Sequence, residues 1–368
     1  MLYYLARYLM ETYPRLGFLR LFGYISFRSI GAALTAVIVT FIFARPFISY
    51  FHRRQFLDYA RETGIPSASD KSGTPTMGGV LIVLAFAFSS LLWAPVTNGY
   101  VLMALVSFLF FALLGYKDDK AKLRARSGEG GYSEKLKLLL QGAYSLVFVL
   151  YIFSRLGPLP RGEEYSLYAP FFKTAVFSGA IVYGLFVFFY FIAVSNSVNL
   201  TDGLDGLAIV PSTFVVSALG VFAYIMGNAV QSKYLQMPFF PGAGELTVLA
   251  SAFAGAAVGF LWYNAYPAQI FMGDTGALAI GGLIAALTVL LKQELLFPIL
   301  GGLFVAEAFT SQVQDKIGVN WLGRRIFHRA PLHHELQYRG LAENKVVVRL
   351  WIISGILALL AIATIKIR

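Results

Sequence analysis

An all-α, polytopic membrane protein of about ten transmembrane helices is the fold this sequence predicts, and three observations carry the prediction. Hydrophobic residues fill 58% of the 368 positions, charged residues only 13%, and the mean hydropathy is +0.68. A soluble domain carries about 25% charged residues. Long intervals hold no charge at all, and the basic residues gather in alternate loops.

A helix needs about 20 mostly apolar residues to cross the hydrocarbon. The first span is expected at 24–44, with Arg28 near enough to one end to snorkel to the interface. No charge falls between Lys71 and Lys117, an interval too long for one crossing. Pro95 with Asn98-Gly99 marks a turn inside it, so it holds two spans. The remaining spans are expected at 138–154, 174–199, 207–231, 246–263, 275–291, 295–314 despite Glu307, and 350–365, all within a single domain over 1–368. An even number of crossings puts both termini on one side. Loops 45–75, 117–137 and 315–349 hold five, seven and seven of the 30 Lys and Arg residues, which makes their side cytoplasmic and both termini periplasmic. The links around 200 and 270 then also lie inside, although neither contains Lys or Arg. Arg7, Glu11, Arg15 and Arg20 interrupt the N-terminal apolar residues, so no cleaved signal is expected.

There are no cysteines, which excludes a disulfide framework and a cysteine metal site. The net charge of +11 fits basic cytoplasmic loops, anionic headgroups and anionic substrates better than nucleic acid.

Five aspartates from three loops fall at cytoplasmic span ends: Asp118-Asp119, Asp202 with Asp205, and Asp274. Each taken alone can be a helix cap. Together, with glycines beside them, they resemble the oxygen-rich setting that magnesium prefers, one or two carboxylates plus waters and substrate phosphates. Asp202 and Asp205 are three apart and on a helical turn would point the same way. Lys71, Lys120 and Lys122 lie on the same side, either to hold an anionic substrate or as plain positive-inside charge. In the stretch 264–276, Gly273 and Gly276 allow close backbone approach, and Asp274 sits near a helix start whose free N–H groups favour anions. Phe271 can stack on a nucleobase or serve as an interfacial aromatic. Two of the four histidines, His333 and His334, precede Glu335 in the last cytoplasmic loop. Neighbouring residues on a helix point about 100° apart and the spaced zinc-protease pair is missing, so phosphate binding or proton handling fits better than zinc.

These stretches resemble a known family, the bacterial phospho-N-acetylmuramoyl-pentapeptide-transferases among the polyprenyl-phosphate N-acetylhexosamine-1-phosphate transferases. The likeness runs from Tyr24-Ile25-Ser26-Phe27-Arg28 through Gly73-Thr74-Pro75-Thr76-Met77-Gly78-Gly79 to the last span. Its most specific parts are Asn-Leu-Thr-Asp-Gly-Leu-Asp-Gly at 199–206, Pro-Ala-Gln-x-Phe-Met-Gly-Asp at 267–274 and Ala-Pro-x-His-His at 330–334. The resemblance implies transfer of phospho-MurNAc-pentapeptide from UDP-MurNAc-pentapeptide to undecaprenyl phosphate, giving lipid I and UMP, with Mg2+, at the bacterial cytoplasmic (inner) membrane. It implies a homodimer as well. By position, Asp118 resembles the base that deprotonates the lipid phosphate, beside Asp119, and Asp274 the magnesium ligand. Asn199, Asp202, Asp205, Asn264 and His333 match active-site positions. Lys71, Thr76, Lys122, Gly203, Leu204 and Phe271 match nucleotide or phosphate contacts, and His334 stays beside His333. Glu335 stands where the family has a third histidine, Lys120 where an aromatic is common, and Thr275 and Ala277 where Val and Ser are usual. Two rivals differ in kind. A relative acting on UDP-N-acetylglucosamine would share the chemistry, whereas a transporter would place its acids near the bilayer midplane.

Overall fold

A computed structural model of the chain describes residues 1–13, 17–54, 56, 73–125 and 130–367. Its helices are α1 (Leu2–Thr12), α2 (Ile25–Arg53), α3 (Gly79–Trp93), α4 (Gly99–Ala125), α5 (Glu134–Phe153), α6 (Ala180–Thr201), α7 (Ile209–Met226), α8 (Ala229–Tyr234), α9 (Leu246–Asn264), α10 (Gly273–Leu290), α11 (Phe297–Leu300), α12 (Gly302–Gln312), α13 (Leu332–Tyr338) and α14 (Glu343–Ala363). Strands β1 (Ser166–Leu167) and β2 (Phe177–Ser178) form one small antiparallel hairpin. The chain is therefore an all-α polytopic membrane protein, as its composition predicts.

Each of the ten expected crossings is helical, but two are built differently from the rest. Among the described residues eight helices are long and apolar enough to span a bilayer, whereas α3 has only 15 residues. The ninth crossing is broken at Gly301 into α11 and α12, where an added Cβ would strike the ring of Phe297. Glu307, the acid within that crossing, lies on α12 and is fully buried.

The bundle is organised around α10. Every residue from Thr275 to Leu290 is buried, and the helix packs against α3, α4, α6 and α7. Lipid supplies little hydrophobic drive between helices, so close approach depends on small residues. Gly79 on α3 lies against the backbone of Gly276 on α10, and Gly115 on α4 lies against the carbonyl of Asp274. In both places a side chain would collide with backbone. These contacts bring the N-terminal end of α10 against the last turns of α4. At 27 residues α4 is about 40 Å long, more than the ~30 Å hydrocarbon requires, so it can carry polar residues past the apolar layer.

The far end of α10 is fastened by a buried polar cluster. Lys292 Nζ donates to the Glu164 carbonyl at 2.9 Å and to the Tyr183 hydroxyl at 2.8 Å, and Tyr183 donates to Glu294. That cluster ties the segment bearing the hairpin to the end of α10.

Candidate active site

The last two turns of α4 present two carboxylates to different partners. Asp118 is fully buried, and its Oδ2 accepts an ion pair from Lys122 Nζ at 2.8 Å and another from Lys137 Nζ at 3.2 Å. Its Oδ1 accepts the Tyr132 N–H at 2.7 Å. Asp119 turns to α10 instead. Its oxygens accept the N–H groups of Asp274 at 3.0 Å and Thr275 at 2.8 Å, and the Thr275 hydroxyl at 2.6 Å. The free N–H groups that sequence reasoning offered to an anionic ligand are thus capped by a carboxylate from a neighbouring helix. Asp119 positions Asp274 rather than facing open space.

Asp274 completes the cluster. Its Oδ2 lies 2.8 Å from the same Lys122 Nζ that meets Asp118, and 3.6 Å from Lys137 Nζ. Carboxylates from two helices therefore converge on one cationic position, now taken by an ammonium group. Among the described residues no group of three acidic, histidine or cysteine side chains forms a ready-made metal cage. A magnesium site with one or two protein carboxylates, completed by water and substrate phosphate, fits this donor set.

The stretch 199–206 is not one helical turn with paired acids. α6 ends at Thr201, and Asp202 caps it with its N–H directed to the Asn199 carbonyl at 3.2 Å. The chain then turns through Gly206, which has φ +73, a conformation that favours glycine. Asp202 stays half-buried, whereas Asp205 is buried with its Oδ2 on the Ala268 N–H at 3.0 Å and its own N–H on Glu343 at 3.2 Å. Asn264 works in the same way, accepting the Gly206 N–H at 3.1 Å and donating to the Ile270 carbonyl at 2.9 Å. Leu204 is drawn into a small apolar core with Leu207, Leu303, Val346, Val347 and Leu350.

The loop between α9 and α10 joins these parts. At one end Ala268 and Ile270 are held by Asp205 and Asn264. At the other, the Phe271 N–H donates to Pro75 O at 2.8 Å, while Gly78 and Gly79 donate to Phe271 O at 2.7 Å and Met272 O at 2.8 Å. Segment 73–79, with half-buried Thr76, is thereby fixed beside Phe271 and Asp274. Lys71 lies outside the described residues. Lys120, which the sequence places on the same side as Lys122, points away from the cluster, with its Nζ 5.8 Å from the Tyr116 ring centroid.

His333 arrives from α13. It is 1% exposed, and Glu307 Oε2 meets both its Nδ1 at 3.0 Å and its N–H at 3.3 Å. A carboxylate oxygen accepts, so Nδ1 carries the proton and Nε2 is left aimed at Gly203, where an added Cβ would run into it. That Nε2 is buried and has no protein partner. Glu307 and Lys137 are site residues that the sequence reading did not single out. An acid inside an apolar span is a functional signal, and Glu307 gave it; Lys137 was hidden among the basic residues of its loop.

Burial and the adjacent His333 ring push the His334 pKa down to about 4, and its Nδ1 pairs with Gln337 Oε1 at 3.1 Å. The folded histidine therefore refuses a proton that the unfolded chain accepts at about pH 6.5. Stability from this residue is present above pH 6.5 and lost as the pH falls from 6.5 towards 4. Thermal unfolding at pH 7 and pH 4.5 should show a smaller acid-induced drop in Tm for His334→Gln than for the parent chain. Glu335, in place of a third histidine, accepts from the Arg329 N–H at 2.9 Å, pairs with Arg339 at 2.9 Å and meets His328 at 3.2 Å. These contacts hold its carboxyl down at about pH 2 and brace the loop that delivers His333.

The family model described as glycosyl transferase family 4 matches residues 101–292. The chain belongs to glycosyl transferase family 4. A second match, the phospho-N-acetylmuramoyl-pentapeptide-transferase signature 1, covers residues 71–83, and it marks this family 4 chain as a transferase of that type. The signature contains the segment clasped to Phe271 and Met272. The longer match takes in Asp118, Asp119, Lys122, Lys137, Asn264 and Asp274, and ends before Glu307 and His333.

Proposed function

We propose that this family 4 transferase moves phospho-MurNAc-pentapeptide from UDP-MurNAc-pentapeptide to undecaprenyl phosphate, producing lipid I and UMP at the cytoplasmic face of the bacterial inner membrane. The observation that carries the reading is the convergence of Asp118 and Asp274 on one cation position at the polar end of two membrane helices. It is supported by the signature at 71–83, fixed beside Asp274 through the Phe271 segment.

The reaction joins a lipid phosphate oxygen to the sugar-side phosphorus of the diphosphate, and the bond from that phosphorus to the bridging oxygen breaks to release UMP. Such phosphoryl transfer depends mainly on positioning and charge stabilisation. Asp274 would hold Mg2+, which when bound would offset negative charge on the diphosphate and the leaving UMP. Lys122 and Lys137 bind phosphate oxygens. Both lysines now sit on carboxylates, so moving them onto an incoming diphosphate frees the Asp118 oxygens to take the proton from the lipid phosphate. Asp119 keeps Asp274 in place through the helix backbone. His333 presents Nε2 beside Gly203 as a hydrogen-bond acceptor for a ribose hydroxyl, with its ring fixed by Glu307. Phe271 and Thr76, on the two clasped segments, flank the nucleotide.

Purified protein given undecaprenyl phosphate and Mg2+ should release UMP from UDP-MurNAc-pentapeptide. Release only from UDP-N-acetylglucosamine would sink the substrate assignment, and vesicle uptake without UMP would favour a transporter. A second expectation concerns the histidine. Gly203→Ala should lower the UMP release rate on the order of 10²-fold, because the methyl group displaces a buried ring that Glu307 prevents from yielding freely. Shifting that buried ring should lower the Tm as well, at an overpacking cost of about 1–3 kcal/mol; an unaltered rate would remove His333 from the mechanism.

A further inference from the structure

The outward side of α4 carries a feature that the transfer reaction does not use. Leu102, Val106, Leu109, Leu113 and Tyr116 are all exposed and recur every three or four residues, forming a continuous apolar stripe along one helix face. The stripe runs directly into Lys117, Lys120 and Arg124, which keep the same spacing and are also exposed. Asp118 and Asp119 point inwards, so the end of α4 is acidic on its buried side and purely basic on its outer side.

The basic end is concave. Lys117, Lys120, Ala121, Arg124, Ala125 and Tyr132 line a cavity of about 540 Å³. The two alanines leave room between the three long cations. Among the described residues none of the three makes an ion pair, whereas Lys122 and Lys137 close by are each paired twice. Three cations left unneutralised by the described residues, around a pocket whose described lining holds no acid, are suited to a phosphate group. An apolar stripe leading up to them from the bilayer indicates that the phosphate belongs to a lipid.

We propose that this pocket binds the phosphate of an anionic lipid whose chains lie along the exposed stripe of α4. Tyr132 connects it to the reaction site, because this residue lines the pocket and its N–H holds Asp118. The lipid can be a bilayer phospholipid or the polyprenyl phosphate acceptor, and only the second case rests on the proposed transfer reaction.

Native mass spectrometry of the full chain in detergent, titrated with phosphatidylglycerol, phosphatidylcholine, polyprenyl phosphate or polyprenol, tests the proposal without requiring turnover. Each cation near an anionic lipid is worth about 1 kcal/mol, or roughly fivefold in affinity. Lys117→Gln, Lys120→Gln and Arg124→Gln together should therefore weaken retention of the anionic lipid on the order of 100-fold, with phosphatidylcholine and polyprenol unaffected. Ala125→Trp keeps every charge and fills the pocket, and should weaken the same lipid. Loss confined to phosphatidylglycerol identifies a bilayer lipid, and loss confined to polyprenyl phosphate identifies the acceptor; both support the site. Equal retention of charged and uncharged lipids by the parent chain would overturn it. So would a triple variant that binds normally, or an Ala125→Trp variant that binds normally while the triple variant does not.

Discussion

Asp274→Asn should cut UMP release by about 10³-fold while the protein remains folded and extractable. The loss corresponds to about 4 kcal/mol of transition-state stabilisation, the scale on which a metal-centred charge contributes. Asn keeps the size of the side chain but removes the charge that now faces Lys122 and Lys137. Folding should survive because the start of α10 is held through its backbone. Asp119 accepts from the N–H groups of residues 274 and 275 whatever side chain residue 274 carries. Lys122 and Lys137 also keep Asp118 as a partner. The checks are an initial-rate assay over a magnesium series and a Tm. A near-normal, magnesium-dependent rate would falsify the ligand assignment.

Gly115→Ala should damage both stability and turnover. A methyl group at this position meets the Asp274 carbonyl and the Thr275 Cα, which are backbone atoms of a helix packed on all sides. Overpacking of this kind costs about 3 kcal/mol when nothing can rotate away. The strain acts where Asp119 caps α10, so the displacement should also loosen the N–H bonds that set the position of Asp274. Gly23→Ala is the control, since its Cβ would meet nothing within 4 Å, and it should leave stability within about 0.5 kcal/mol. Equal Tm values for the two variants would show that the α4–α10 contact tolerates expansion.

The membrane architecture was legible because apolar intervals, turn residues and basic loops are one-dimensional signals. They located α4, α10 and the others, but hydropathy could not show that the crossing at 295–314 breaks at Gly301 or that α3 is short. The acids of the site were legible as a group, since charge at span ends stands out against 58% hydrophobic residues. Their division of labour was not. Asp118 and Asp119 are adjacent in sequence, yet one meets two lysines and the other caps a helix more than 150 residues away. Asp205 and Asn264 carry motif positions but hold loop backbone, a role visible only once the loop between α9 and α10 is folded against them. Glu307 was noticed as an oddity within a span, and its partnership with His333 depends on α12 and α13 meeting in space.

The most direct measurement counts both products of one reaction. Protein in detergent with Mg2+, undecaprenyl phosphate and UDP-MurNAc-pentapeptide labelled in the sugar should yield UMP and labelled lipid in a 1:1 ratio, with neither formed when the lipid acceptor is omitted. UMP without labelled lipid, or no UMP from this nucleotide under any acceptor, would contradict transfer at the Asp118–Asp274 site.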